Sequence, residues 1–138
     1  MHWNIKEIEA PELAKWQEEK GESLRVIDVR EMGEIAAGTI PGAEPMPMAS
    51  IPVRMHELDK DNDIVFICRS GARSAQVCMF LQQQGFDNVY NLRGGMFGWA
   101  GAGQQVVPVA ERCRVLQRQA GRHHRRTRHL ASDDFAGR

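Results

Sequence analysis

The chain has 138 residues, of which 42% are hydrophobic and 26% charged, a composition typical of one soluble globular domain with a sizeable core. No stretch approaches the roughly 18 consecutive apolar residues of a membrane span, and three cysteines without paired spacing exclude a disulfide framework. The formal net charge of zero hides an asymmetry: residues 1–110 carry ten basic against fifteen acidic side chains, and residues 111–138 carry eight arginines against three acids.

Taken in chain order, short apolar runs alternate with helical patterns. "WNIKEI" (3–8) alternates like a half-buried strand. "PELAKWQEEKG" (11–21) opens with Pro and stops at Gly, the usual order for a helix. "LRVIDV" (24–29) reads as a buried strand, and "EMGEIAAG" (31–38) as a short helix ended by Gly38. "TIPGAEPMPM" (39–48) is punctuated by Pro and Gly, so any strand there is short or at an edge. "SIPVRMHELDK" (50–60) predicts a short helix capped by Ser50. "DIVFI" (63–67) is apolar on both faces, the mark of a central parallel strand. "ARSAQVCMFLQQQG" (72–85) predicts a helix, "DNVYNL" (87–92) the last strand, and "GGMFGWAGAG" (94–103) a tight turn with a short helix. Strands separated by helices indicate an α/β fold with a largely parallel sheet. Ligands then sit beyond the carboxyl ends of the strands. Asp28, Arg30 and Cys68 all lie at such ends.

Beyond about residue 110 the sequence changes character. "ERCRVLQRQAGRHHRRTRHLASDDFAGR" has few apolar residues and a run of Arg and His, which predicts a solvated, flexible tail. Residues 1–110 are therefore expected to form the folded domain. No aromatic residue is interleaved with the arginines before Phe135, which gives nucleic-acid stacking little support. A solvated tail is also favoured over weak metal or nucleic-acid binding by His123, His124 and His129. The N-terminus carries no basic segment followed by an apolar one, so no secretory signal is read and a cytoplasmic, reducing setting is expected.

The chemistry gathers at Cys68. A strand that ends on a cysteine and turns tightly into a helix fixes the sulfur on a rigid element. It also aims successive loop N–H groups and the positive end of a helix at the same spot. Ser70, Gly71 and Ala72 are small enough for the backbone to close round the sulfur. Arg69 and Arg73 add positive charge. Each effect favours a thiolate, so Cys68 is expected to be nucleophilic. Cys78 reads as core, and Cys113 as an exposed tail thiol. His56 has no second ligand at metal spacing and reads as a surface residue. No metal or other cofactor is expected. Phe97 and Trp99 are expected to pack the last helix onto the sheet, with Gly94 and Gly95 giving a tight backbone path.

"CRSGARS" (68–74) after an apolar strand resembles the active-site loop of single-domain rhodaneses, the thiosulfate sulfurtransferases. "VIDVRE" (26–31), "EIAAGTIPGAEPMP" (34–47) and "GFDNVYNLRGGMFGWA" (85–100) agree with that family in order and spacing, so the resemblance covers about residues 3–108. It implies a rhodanese-like α/β fold, a central parallel five-stranded sheet flanked by helices on both faces. It also implies a sulfur relay through a Cys68 persulfide. The donor would be a small anion such as thiosulfate, and the acceptor cyanide, a thiol or a protein. Residues 69–73 would bind the donor, with Arg69 at the pocket mouth. Asp28, Arg30 and Ser74 would support the loop. Arg73 would pair with Asp28 or Glu31, and Arg30 is read as structural. The family usually has a histidine where this chain has Thr39, and activity is expected to survive that difference.

Three other readings are weighed. Cysteine-dependent phosphatases place five residues between the cysteine and the arginine that grips phosphate. Here four separate Cys68 from Arg73, which weighs against phosphatase or arsenate-reductase chemistry. Non-catalytic members of the family usually lose the cysteine. A persulfide carrier that delivers sulfur to a partner for cofactor or tRNA thiolation would use the same residues and stays open.

Overall fold

The computed structural model describes residues 4–108. Five strands lie in one wholly parallel sheet, in the order β1-β5-β4-β2-β3. They are β1 (Glu7–Ile8), β2 (Arg25–Asp28), β3 (Glu44–Pro45), β4 (Ile64–Ile67) and β5 (Val89–Leu92). The helices are α1 (Ala10–Lys20), α2 (Met32–Ala37), α3 (Ile51–Arg54), α4 (Ala72–Gln83) and α5 (Gly95–Gly101).

The central strand explains the layering. All four residues of β4 are fully buried, and successive side chains point to opposite faces. Ile64 and Phe66 join one core with Val77, Cys78 and Leu81 of α4 and Ile51 of α3. Val65 and Ile67 join the other, with Leu13 of α1 and Met96 and Trp99 of α5. A strand buried on both sides has no use for polar alternation, which is why "DIVFI" is apolar throughout. In α4, Ser74, Val77, Cys78 and Leu81 are buried, spaced as one helix face.

The edges are shorter than the sequence pattern suggests. Only Glu7–Ile8 of the expected first strand pairs in the sheet, with Asn91 and Leu92 of β5 as partners. The expected helix 50–60 breaks into α3 and a 3-10 turn, Met55–Glu57. Ser50 does not cap it. Its hydroxyl donates to the Pro47 carbonyl at 2.6 Å, because Ser50 already lies in the preceding 3-10 turn (Met48–Ser50) in helical conformation. No helix among the described residues is long and apolar enough to cross a membrane. Cys113, His123, His124, His129 and the expected tail lie outside the described residues.

Candidate active site

The loop after β4 runs from Cys68 straight into α4. Gly71, at φ +102°, provides the left-handed turn that a side chain would resist, and it precedes the first residue of the helix. That turn brings the sulfur under the helix start. Cys68 Sγ accepts from the Gly71 N–H at 3.1 Å, from the Ser74 N–H at 3.4 Å and from the Ser74 hydroxyl at 3.4 Å. Burial alone would raise the thiol pKa. The Ser74 hydroxyl and the amides of Ser74, Gly71 and Ser70 outweigh it, and the net shift is downward. The arrangement therefore eases ionisation of Cys68 relative to an ordinary thiol. Cys78, ten residues on, is the opposite case. Burial and the charge of Glu7 push it up to about 12, so it stays a protonated core thiol.

The second wall of the loop comes from α5. Met96 N–H donates to the Cys68 carbonyl at 2.8 Å, and Phe97 N–H donates to the Arg69 carbonyl at 3.1 Å. These two bonds tie the Cys68 and Arg69 carbonyls to α5 and leave the loop N–H groups to the sulfur. Trp99 anchors α5 from the far side, buried in the core with its indole N–H on the Gln105 carbonyl. Phe97 does not pack the sheet as expected; it is 64% exposed, with the Arg69 guanidinium 5.9 Å from its ring centroid. Met96 and Trp99 occupy the buried face of this single short helix, and the residue after Met96 necessarily points away.

Asp28 and Arg30 form a buried cluster with Gly38 and Thr39 at the carboxyl end of β2, the strand next to β4. Asp28 is fully buried and accepts from Arg30 Nε at 3.0 Å, Arg30 Nη2 at 2.8 Å and Thr39 Oγ1 at 2.7 Å. Arg30 spends a further N–H on the Gly38 carbonyl. Arg30 is buried, with its Nε and Nη2 groups engaged by Asp28 and the Gly38 carbonyl. Thr39 fills its position in full: its hydroxyl ties to Asp28, and its backbone exchanges two bonds with Val107.

One pairing corrects the sequence reading. Arg73 pairs with neither Asp28 nor Glu31 but with Glu34 of α2, at 3.1 and 3.3 Å. Asp28 is already saturated, and Glu31 is turned into the capping box of α2. Glu34 also takes the Glu31 N–H at 3.0 Å, and Arg69 Nε stands 3.6 Å from it. The spacing of Glu31 and Glu34 at a helix start was the available signal. The Arg73 hydrogen bond, followed by that from the Glu31 N–H, holds the Glu34 carboxyl down to about 2. Because this value lies below the ordinary 4.5, the bridge stabilises the fold above pH 4.5 and is lost as pH falls toward 2. Glu34→Gln should therefore melt below the wild type at neutral pH, by up to about 1 kcal/mol for so exposed a pair. The gap should close on acidification, read as Tm against pH.

Arg69, Ser70 and Ala72 lie exposed at the rim. His56 is exposed too, and no group of three His, Cys, Asp or Glu among the described residues is placed to hold a metal. Composition gave no signal for Asn91, a polar residue buried inside β5 that accepts from Ser74.

Known proteins agree with this geometry. The Rhodanese-like domain family matches residues 9–102. A sulfurtransferase from Allochromatium vinosum is 51% identical over 86 residues, which is 62% of this chain and 80% of that one. The thiosulfate sulfurtransferase GlpE of Pseudoalteromonas translucida is 34% identical over 86 residues, 62% of this chain and 82% of that one. The crystal structure of a rhodanese-related protein from Thermoplasma volcanium superposes with a TM-score of 0.67 at 30% identity, covering 74% of this chain and 97% of that one. With a parallel five-stranded sheet, a cysteine cradled by amides at the end of its central strand and these relatives, the chain belongs to the rhodanese-like family as a sulfurtransferase-type enzyme.

Proposed function

We propose that Cys68 is the nucleophile of a two-step sulfur relay with thiosulfate as donor. The Cys68 thiolate attacks the outer sulfur of thiosulfate, the S–S bond of the donor breaks, and sulfite leaves with the electron pair. A Cys68 persulfide remains. An acceptor such as cyanide or a thiol then attacks its outer sulfur, and the Cys68 thiolate is released. The amides of Ser70, Gly71 and Ser74 stabilise the negative sulfur, as an oxyanion hole does for oxygen. No cofactor enters either step. A reducing cytoplasmic setting would keep Cys68 available, and residues 1–110 would carry the whole reaction.

The observation that carries this reading is the size and lining of the cradle. Four residues separate Cys68 from Arg73, and Arg73 is turned outward onto Glu34. The cradle is left with backbone N–H groups suited to a single sulfur and without the inward arginine a phosphate needs. Arg69, exposed at the rim, is the charge that meets the donor.

The test is turnover with thiosulfate as donor and cyanide as acceptor. Thiocyanate should form, and Arg69→Ala should raise the KM for thiosulfate about three- to fivefold, as for an exposed charge, without moving Tm. Thiocyanate formed from a persulfide donor but not from thiosulfate would assign the persulfide-carrier reading instead. A change in Tm alone would remove Arg69 from the donor site.

A further inference from the structure

Ser74 stands between two acceptors with one proton to give. Its Oγ is 3.4 Å from Cys68 Sγ and 2.5 Å from Asn91 Oδ1. Asn91 is 2% exposed and Ser74 fully buried, so no water competes freely for that proton. The orientation of the Asn91 amide is set from outside. Its Nδ2 donates to Glu7 Oε2 at 2.9 Å. An ionised carboxylate only accepts, so the NH2 group must face Glu7 and the amide oxygen must face Ser74. Glu7 itself is exposed on β1, beside an open pocket that it lines with Glu9, Glu12 and Arg93. A chain of three side chains thus runs from the surface to the sulfur.

We propose that Asn91, oriented by Glu7, is a positioning residue that directs the Ser74 proton and thereby sets the ionisation of Cys68. This inference rests on Cys68 being the sulfur nucleophile. With Cys68 as a thiol, Ser74 O–H donates to Asn91 Oδ1, and the Cys68 S–H donates to Ser74 Oγ; every group is satisfied. Ionisation breaks the S–H bond, leaves the electron pair on Sγ and sends the proton to bulk water. Ser74 then turns its O–H to Sγ, and Asn91 Oδ1 loses its donor. A buried acceptor left without a donor is costly. Asn91 therefore holds back the thiolate that Ser74 would otherwise favour.

The experiment is an ultraviolet thiolate titration of the full chain in a Cys113→Ala background, with Cys68→Ser as the blank. Asn91→Leu removes the competing acceptor at similar volume. It should lower the Cys68 midpoint by about one pH unit, the worth of one hydrogen bond to a charged group. In a Ser74→Ala background the same substitution should do nothing, because Asn91 acts only through Ser74. Glu7→Leu, at an exposed position of β1 and checked for an unchanged melting curve, frees the amide to turn its NH2 group toward Ser74. Its downward shift should be larger with Ser74 present than in Ser74→Ala, where only the lost charge acts. A midpoint that rises or stays in Asn91→Leu, or shifts equally in both backgrounds, would overturn the proposal. The titration is independent of turnover. If Cys68→Ser retained sulfur transfer, the nucleophile assignment would fail with the titration result intact.

Discussion

Cys68→Ser is expected to lower sulfur transfer from thiosulfate by at least about a thousandfold, the scale on which loss of a covalent nucleophile is felt. The substitution is nearly isosteric at a buried position, and the Gly71 and Ser74 amides can donate to a hydroxyl oxygen as they do to sulfur. The fold should therefore survive, with Tm close to the wild type. The hydroxyl has no accessible anion at neutral pH and cannot accept and release a sulfane sulfur. Thiocyanate production together with a melting curve separates loss of chemistry from loss of structure. Turnover retained by a folded Cys68→Ser protein would sink the relay.

Gly95→Ala carries the largest expected stability effect. An alanine Cβ there would lie 2.4 Å from the Cys68 carbonyl oxygen and 2.7 Å from the Arg69 carbonyl carbon and oxygen. All three are backbone atoms and cannot swing aside. Gly95 also adopts φ +57°, which costs alanine about 1–2 kcal/mol. Adding about 1–3 kcal/mol for the overlap, the domain should lose about 2–5 kcal/mol, a large part of the usual total stability. Tm should fall by roughly 10–30 °C for a domain near this size. If the loop yields instead of the fold, part of the Tm returns, but the cradle opens and turnover falls. Gly33→Ala in α2 is the control: nothing lies within 4 Å of its Cβ and its φ is ordinary, so it should melt at or slightly above the wild type. Gly95→Ala matching Gly33→Ala in both Tm and turnover would show that α5 does not clamp the loop.

What could be read in the sequence was local. The apolar run of β4, the small residues after Cys68 and the helix that follows specify one another over a dozen residues. The strand–cysteine–loop–helix unit is accordingly found where the pattern put it. Asp28 and Arg30 stand at the end of β2, beside the strand that leads into Cys68, because strand ends in a parallel sheet converge; Ser74 reaches the sulfur from the first turn of α4. What could not be read depends on long-range competition. Glu34 is 39 residues from Arg73, and it wins because Asp28 is consumed by Arg30 and Thr39 and Glu31 by a capping box. Phe97 looks like core in composition, yet Met96 and Trp99 take the buried face of α5. Asn91 sits in a strand as ordinary as any other. Only the meeting of β1, β5 and α4 reveals that its two ends face a carboxylate and a hydroxyl.

The most direct measurement is the mass of the protein after brief treatment with thiosulfate, mapped to the cysteine that changes. The predicted result is the gain of one sulfur atom on Cys68, removed by cyanide with release of one thiocyanate and absent in Cys68→Ser. Sulfur found only on Cys78 or Cys113, or steady turnover with Cys68 never modified, would contradict the persulfide relay.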